Sequence, residues 1–216
     1  PLYSSAASDV YKRQPPRMHV VRSFDVNKPG SPADKLAGGV IGGTILQGIF
    51  KVGNEIEIRP GIRLEKQGRA VYEPLFTEIV SLQAGGRAVQ DAQPGGLVGI
   101  GTLLDPSLTK ADALNGNLAG KPEMLPPTLS ELTLDTHLFE RAVGTKELME
   151  IEKVRTGESL LLDVGTSITA GGVISLKGDT ATLKLSRPVS AEKGSRAAIS
   201  RKIAGRWRLI GYGIMV

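Results

Sequence analysis

Two glycine pairs within one apolar run constrain the fold more than any other stretch of this sequence. Gly38-Gly39 and Gly42-Gly43 lie four residues apart, and aliphatic residues fill most of the positions around them. Because glycine has no Cβ, it allows another backbone to approach closely or a strand to bend sharply. The run therefore predicts a buried strand at the corner of a β-barrel.

The segment after these glycines has the pattern of a turn followed by a half-buried strand. Gly53-Asn54 is a turn dipeptide, and residues 55–59 (EIEIR) alternate polar with apolar. Such alternation places one face of a strand in the core and the other in solvent. Pro60-Gly61 is expected to end the strand, since proline lacks the amide that a central strand needs.

Strand and turn signals recur along the rest of the chain. Further strands are expected at residues 18–24, 71–83, 97–101, 131–138, 158–164, 180–185, 196–203 and 207–216. Residues 109–114 and 146–149 are predicted to form one helical turn each, and no other stretch has a helical repeat. Many short strands with glycine and proline turns predict an all-β protein made of closed barrels or sandwiches.

Some residue-level expectations come from the same patterns. Pro74 should break the strand at residues 71–83, and the aliphatic residues after it, Ile79, Val80 and Leu82, should return to the core. Asp163 lies in a segment, DVGT, that distantly resembles the aspartic protease loop. Because two such loops are needed and no second one is present, Asp163 is expected to be a turn residue.

Prolines mark the expected domain boundary. Residues 120–127 read GKPEMLPP, and proline both lacks an amide for strand ladders and stiffens the chain. The prediction is one domain over residues 17–120 and another over 128–216, joined by a linker at 121–127. Residues 1–16 are expected to lie outside both, and residues 1–14 read as an artefactual leader because they share no pattern with the rest of the chain.

Composition limits the classes of function. A formal charge of +5 is compatible with a polyanionic partner, but on charge alone an ordinary solvated basic surface is the favoured explanation. An aromatic content of 4% argues against a stacking platform for single-stranded nucleic acid. No cysteine is present, no apolar run approaches the ~20 residues that cross a bilayer, and a cytoplasmic protein is expected.

The sequence contains no catalytic or metal motif. The phosphate-binding pattern G-x-x-x-x-G-K-[ST] is absent, so the chain as given is expected to bind and hydrolyse no GTP. His19 and His137 are the only histidines, and neither has a partner at helical spacing. Both are expected to be strand residues with imidazoles at the surface, rather than metal ligands or members of a catalytic triad.

Four segments of the sequence resemble one protein family. They are GGVIGG with ILQGIFKVGNEIEIRPG (residues 38–61), PGGLVGIGT with LDP (94–106), RAVGTKE (141–147) and GRWRLIGYG (205–213). In these segments the chain is similar to the gamma subunit of archaeal and eukaryotic translation initiation factor two. Elongation factor Tu shares the general pattern, but the doubled glycine pairs and Arg59-Pro60-Gly61 favour the gamma subunit.

This resemblance implies a fold and a function. It implies two closed barrels like domains 2 and 3 of elongation factor Tu, in a factor that delivers methionyl initiator tRNA to the small ribosomal subunit in a GTP-dependent ternary complex. The implied partners include the alpha and beta subunits, and the intact protein would be a GTPase that uses GTP and magnesium. The alternatives are the barrels of a Tu-like or selenocysteine-specific elongation factor, or a non-catalytic protein-interaction module.

The resemblance also suggests site residues in the first barrel. The candidates for contact with the aminoacyl end of the tRNA are Arg22, Phe24, Asp25, Lys28, Gly101 and Thr102. The alternative interpretation places Phe24 in the core, makes Asp25 the cap of a turn and leaves Arg22 solvated. For Gly101 and Thr102, packing between strands is the alternative.

A second candidate site lies near the C-terminus. Cations flank a glycine turn there, and those proposed to contact RNA phosphates are Arg201, Lys202, Arg206 and Arg208. Alternation along the second strand places Arg206 and Arg208 on one face and Trp207 on the other. The alternative is an ordinary solvated face with Trp207 in the core.

Overall fold

A computed structural model describes residues 13–141 and 150–216, which fold into two separate units. The first unit ends at Leu125 and the second begins at Pro126. Strands make up nearly all of the regular structure, and short 3-10 turns occur at Ala33–Lys35, Pro106–Leu108 and Lys110–Asp112. The all-β prediction is confirmed, and the helical turn expected at residues 109–114 is present as the last of these turns. The turn expected at residues 146–149 lies outside the described residues.

The first unit contains nine strands. They are β1 (Arg17–Phe24), β2 (Val40–Gln47), β3 (Phe50–Lys51), β4 (Glu55–Lys66), β5 (Arg69–Ala84), β6 (Arg87–Val89), β7 (Asp91–Ala92), β8 (Leu97–Thr102) and β9 (Leu118–Gly120). Six of them run in the order β4-β9-β1-β2-β8-β5, and pairing of β4 with β5 closes the ring. Alternate residues of these strands fill the interior, with Met18, Ile41, Phe50 and Ile100 fully buried.

The second unit is a closed barrel of six antiparallel strands. They are β10 (Thr128–Leu138), β11 (Ser159–Val164), β12 (Ser167–Lys177), β13 (Thr180–Ser190), β14 (Arg196–Ile203) and β15 (Arg206–Met215). Their order around the barrel is β10-β13-β12-β11-β14-β15. The interior is aliphatic, with Leu134, Leu162, Ile199 and Ile210 fully buried. Two closed barrels are therefore present, as the resemblance implied.

The glycine pairs allow the close backbone approach predicted from the sequence. A Cβ at Gly38 would overlap the carbonyl oxygen of Thr102, and a Cβ at Gly43 would overlap that of His19. Gly42 is different, because the atom nearest to an added methyl group would be the Cβ of Arg22 at 3.8 Å. Two of these three positions therefore require glycine, and the third tolerates a side chain.

Strand β4 corrects two expectations. It does not end at Pro60-Gly61 but continues to Lys66, because a bulge between Ile58 and Ile62 absorbs the proline. The Gly61 amide donates to Oδ1 of the buried Asn117 (2.7 Å), so the interruption of the ladder leaves it satisfied.

Glu57 is the second correction in this strand. The alternating pattern placed it in solvent, yet its side chain is fully buried. Its Oε1 accepts a hydrogen bond from Nε of Arg59, and its Oε2 accepts one from the amide of Glu123 (2.9 Å). The Arg59 guanidinium also reaches the Leu125 carbonyl (3.4 Å). Because both carboxylate oxygens are paired, Glu57 can be buried and clamps residues 123–125 to β4.

Two expectations about strand β5 are also wrong, one for Pro74 and one for Val80. Pro74 does not break it, because Pro74 lies opposite the bulge of β4, between the paired residues Glu73 and Leu75, where no ladder partner is required. Ile79 and Leu82 are buried as predicted, but Val80 is 44% exposed. A register shift between Ile79 and Ser81 turns the Val80 side chain outward.

In the second barrel the sequence patterns missed one strand and misplaced one residue. Strand β12 was not predicted, because Gly171-Gly172 and several small polar residues obscure its alternation. Asp163 is not a turn residue but lies within β11, opposite Ile168 and Ala198. The turn after this strand begins at Gly165. In the described part of the chain, no helix has the length and apolarity required to span a membrane.

Candidate nucleic-acid interface

The loop after β1 is fixed by two side chains. Oδ1 of Asp25 accepts hydrogen bonds from the amide (2.8 Å) and Nδ2 (2.7 Å) of Asn27, so Asp25 does cap a turn. The Asn27 side chain also bonds both backbone groups of Ala37, each at 2.8 Å. These bonds tie residues 25–37 into a closed loop. Lys28 within it is exposed, with no ion-pair partner among the residues that are described.

Residues 22–28, which we call the rim of the first barrel, begin with an arginine held in place by a carboxylate. Nε of Arg22 donates to Oδ1 of Asp112 (2.8 Å), and the Ser23 amide donates to the same oxygen (3.0 Å). Two hydrogen bonds lower the pKa of Asp112. The one from the Ser23 amide has the larger effect, and the one from Arg22 adds to it. The Arg22 side chain is still 69% exposed, so its terminal nitrogens face solvent and can reach a ligand.

Phe24 is not a core residue, since 41% of it is exposed. Its carbonyl oxygen accepts a hydrogen bond from Oγ1 of the buried Thr109 (3.1 Å), which fixes the end of β1. Other apolar side chains exposed on the surrounding loops are Val26, Leu36 and Leu103. The rim therefore offers both apolar surface and positive charge, which suits a ligand that has an apolar part and an anionic part.

Gly101 and Thr102 are placed differently from the other candidates. Thr102 is fully buried, and its hydroxyl donates to the Gly39 carbonyl (2.7 Å) and accepts from the Leu104 amide (3.2 Å). Gly101 on β8 lies between β2 and β5, where a Cβ would overlap Oγ of Ser81. Both residues thus shape the backbone near the rim, and the packing alternative describes them better than direct contact with a ligand.

The second candidate site is a β-hairpin, as predicted, but its four cations are not equivalent. The Arg201 side chain is only 17% exposed and forms two bonds with the carboxylate of Glu158. Its guanidinium also donates to the carbonyls of Glu152 (2.8 Å) and Lys153 (3.3 Å). Arg201 is therefore held within its own barrel by four of its five N–H donors and is poorly placed to contact a phosphate.

The other residues of this hairpin face outward. Lys202 and Arg206 are exposed, Arg208 is half-buried, and none of the three forms an ion pair within the described ranges. Trp207 is 42% exposed, which contradicts the alternative that placed it in the core. The hairpin therefore carries uncompensated positive charge and a large aromatic side chain.

Comparison with known proteins identifies relatives of this chain. Residues 130–215 match the family "Initiation factor eIF2 gamma, C terminal". The chain is 60% identical over 202 residues to the translation initiation factor 2 subunit gamma of Thermococcus kodakarensis and to that of Pyrococcus furiosus, covering 94% of this chain and 49% of each relative. The corresponding protein of Methanocaldococcus jannaschii is 55% identical over 205 residues, covering 94% of this chain and 50% of that relative.

The chain belongs to the initiation factor 2 gamma family. It spans about half the length of the curated relatives it matches. Membership decides between the gamma subunit and the elongation factors that shared its general pattern, and it supports a role in translation initiation.

Several residues that support the rim were not identified as site residues from the sequence. They are Ser23, Asn27, Thr109 and Asp112. Asn27 had a usable signal, because an Asp and an Asn two residues apart commonly form a local side-chain turn. Asp112 and Thr109 bond residues more than 80 positions away in the chain, and no local pattern reveals such partners.

Both histidines of this gamma-family chain are strand residues, as predicted, but only His137 has the exposed side chain that was expected. Burial, and then the charge of Arg17, lower the pKa of His19, which is half-buried on β1. His137 on β10 stacks against Tyr212, with ring centroids 4.9 Å apart. Among the described residues, no group of three or more acidic, histidine or cysteine side chains is arranged to hold a metal.

Proposed function

We propose that the rim of the first barrel binds the aminoacyl end of methionyl initiator tRNA. The observation that carries the proposal is the exposed combination of Arg22, Phe24 and Lys28 on a backbone that internal bonds hold rigid. Rigid presentation lowers the entropy that a ligand must offset on binding. An esterified amino acid with its terminal nucleotide has the matching chemistry, since it combines an apolar part with phosphates.

The roles of the rim residues differ in this proposal. Lys28 and the free nitrogens of Arg22 bind phosphate or ribose oxygens, whereas Phe24 contacts an apolar group or a base. Asp25 holds the loop through its Oδ1, and its negative charge disfavours direct contact with a phosphate. Gly101 and Thr102 keep the neighbouring strands close enough to support this surface.

The wider assembly is part of the same proposal and rests on family membership. The relatives are named as a gamma subunit, so we propose that this chain works with the alpha and beta subunits and with the small ribosomal subunit. We also propose that the intact protein binds GTP with magnesium and acts as a GTPase, and that the nucleotide state controls tRNA affinity. The 216 residues alone should then bind tRNA weakly and distinguish charged from uncharged tRNA only slightly.

A filter-binding titration with initiator tRNA tests the role of the rim. Lys28→Gln should weaken binding several-fold. It should also make the slope of log affinity against log salt shallower by about one, as expected for the loss of one phosphate contact. Lys51→Gln is the matched control, because Lys51 is also an exposed lysine of the first barrel but lies outside the rim. It should leave the affinity unchanged.

Three results would contradict the proposal. If Lys28→Gln and Lys51→Gln weaken binding equally, only the net charge of the barrel matters. If binding of tRNA is undetectable while a protein subunit binds in a salt-insensitive manner and Phe24→Ala abolishes it, the rim is an apolar docking surface for protein. Tight binding of charged tRNA alone by the 216 residues would show that no nucleotide-controlled element is needed.

A further inference from the structure

The turn of the β14–β15 hairpin fixes which side chains share a face. Ala204 and Gly205 form a two-residue turn, and both have positive φ (48° and 78°), as a tight hairpin of this kind requires. The register after this turn pairs Ile203 with Arg206, Lys202 with Trp207, and Arg201 with Arg208. Directly opposed residues of antiparallel strands project on the same side, so Lys202 and Trp207 are neighbours on one face.

On the opposite face, the β14 residues Arg201 and Ile203 attach the hairpin to the barrel, whereas Arg206 of β15 is exposed. Arg201 is bonded to Glu158 and to two backbone carbonyls, and Ile203 packs against the core. Because these contacts hold one face, the other face is presented in a defined orientation. Trp207 is outside the core cluster and is 42% exposed, beside an exposed lysine.

We propose that Lys202 and Trp207 form a binding site for an unpaired nucleotide of a structured RNA. The indole ring stacks on the base, and the ammonium group binds the adjoining phosphate. Every base has a π-face, so stacking of this kind is strong without requiring a particular sequence. Arg206 and Arg208, on the other face of β15, add positive potential that draws the RNA backbone to the hairpin.

Charge favours RNA over a protein as the occupant. Lys202, Arg206 and Arg208 form no ion pair with any residue described in the structure, so the hairpin carries net positive charge around its aromatic ring. Charged residues are depleted at the core of protein interfaces, so a tryptophan surrounded by unpaired cations fits RNA better than a protein. The proposal does not depend on tRNA binding by the first barrel, because the two sites lie on different units.

The sequence offers a direct readout of stacking, since Trp207 is the only tryptophan of the chain. Its emission can be excited selectively and followed while a stem-loop RNA with an unpaired pyrimidine loop is titrated into the 216-residue chain. A base that stacks on the indole should quench the emission. A blunt RNA duplex with the same number of phosphates should bind through charge and leave the emission nearly unchanged.

Variants separate the ring from the charge. Trp207→Ala should weaken binding of the stem-loop about tenfold and leave binding of the duplex unchanged, whereas Trp207→Phe should restore most of the affinity. Lys202→Gln should weaken binding of both RNAs. It should also make the slope of log affinity against log salt shallower by about one, because one phosphate contact is lost. Lys184→Gln, an exposed lysine on β13 of the same barrel, is the matched control and should have no effect.

The outcomes are decisive in both directions. The proposal is wrong if saturating stem-loop RNA leaves the Trp207 emission unchanged, which is a test on the unaltered chain that no folding defect can affect. It is also wrong if Lys184→Gln reproduces the effect of Lys202→Gln, or if Trp207→Ala weakens stem-loop and duplex alike. Because neither probe carries an aminoacyl end, Lys28→Gln should not alter these titrations, and failure of the rim proposal would be seen separately.

Discussion

Each barrel holds an arginine against a carboxylate, but the two pairs differ in how solvent reaches them. Arg22 and Asp112 are joined by one hydrogen bond, with side-chain exposures of 69% and 37%. Arg201 and Glu158 are joined by two bonds, with exposures of 17% and 19%, and two backbone carbonyls accept further bonds from the guanidinium. The first arginine can exchange its partner for a ligand, whereas the second is part of the framework.

The two barrels also differ in the contacts that stabilise their strands. The first barrel depends on contacts between backbones at Gly38 and Gly43 and on the buried hydroxyl of Thr102. In the second, the Arg201–Glu158 pair links β14 to the chain that precedes β11. Substitutions in each barrel should therefore have different consequences for stability and for RNA binding.

The largest effect is expected at Gly38. Gly38→Ala should destabilise the first barrel by about 3 kcal/mol, because a methyl group there must displace the Thr102 backbone. Gly42→Ala, in the same strand region but with open space, should cost less than about 1 kcal/mol. Hydrogen exchange of first-barrel peptides measures both variants. Equal protection in the two would show that the close approach is not required.

The two arginines provide the next test. Arg201→Met should destabilise the second barrel by about 2–3 kcal/mol, since it leaves the Glu158 carboxylate partly buried without its partner. Arg22→Met should change the stability of the first barrel much less, because that pair is exposed. Urea unfolding followed by Trp207 emission reports the second barrel, and hydrogen exchange reports the first. Similar losses would remove the distinction between a structural and an available arginine.

Thr102 should have a smaller effect. Thr102→Val removes the hydrogen bond to the Gly39 carbonyl at nearly constant volume and should destabilise the first barrel by about 1–2 kcal/mol. Thr44→Val is the control on the neighbouring strand, because Thr44 is exposed and should lose less than about 0.5 kcal/mol. If Thr102→Val instead reduced tRNA binding without a change in exchange rates, Thr102 would have a direct role at the rim.

The smallest effect is a pH dependence confined to the first barrel. The pKa of His19 is lowered by burial, so the unfolded chain binds more protons than the folded one between that pKa and 6.5. The free energy of unfolding is therefore unaffected by His19 above pH 6.5 and decreases as pH falls through this window. Comparing thermal unfolding with that of His19→Gln isolates the contribution, since the variant should lack this part of the pH dependence. An unchanged profile would show that His19 is solvated equally in both states.

Local patterns in the sequence predicted the elements whose causes are local. Strand β14 has the predicted bounds, and the glycine pairs correctly indicated close backbone contact. Alternation failed at Glu57, because its partners Arg59 and Glu123 make burial of a carboxylate possible and one of them is 66 residues away. It failed at Val80 because a bulge changes which side faces inward.

The candidate sites were predicted unevenly for the same reason. The rim residues Arg22, Phe24 and Lys28 are exposed, but their support comes from residues far along the chain that no local pattern identifies. At the hairpin, counting cations could not show that Arg201 is occupied by Glu158. The low aromatic content argued against stacking, yet position matters more than number when the single tryptophan lies on an exposed face.

The buried Glu57 has a mechanical consequence. Because it anchors the Glu123 amide and its partner Arg59 reaches the Leu125 carbonyl, tension on the connection between the units acts first on these bonds. The strands of the first barrel are loaded only after the clamp yields. In a single-molecule pulling experiment, Glu57→Gln should therefore release the few residues that the carboxylate holds in the unaltered protein. The connection between the units should then lengthen by those residues at a lower force than the barrel itself withstands.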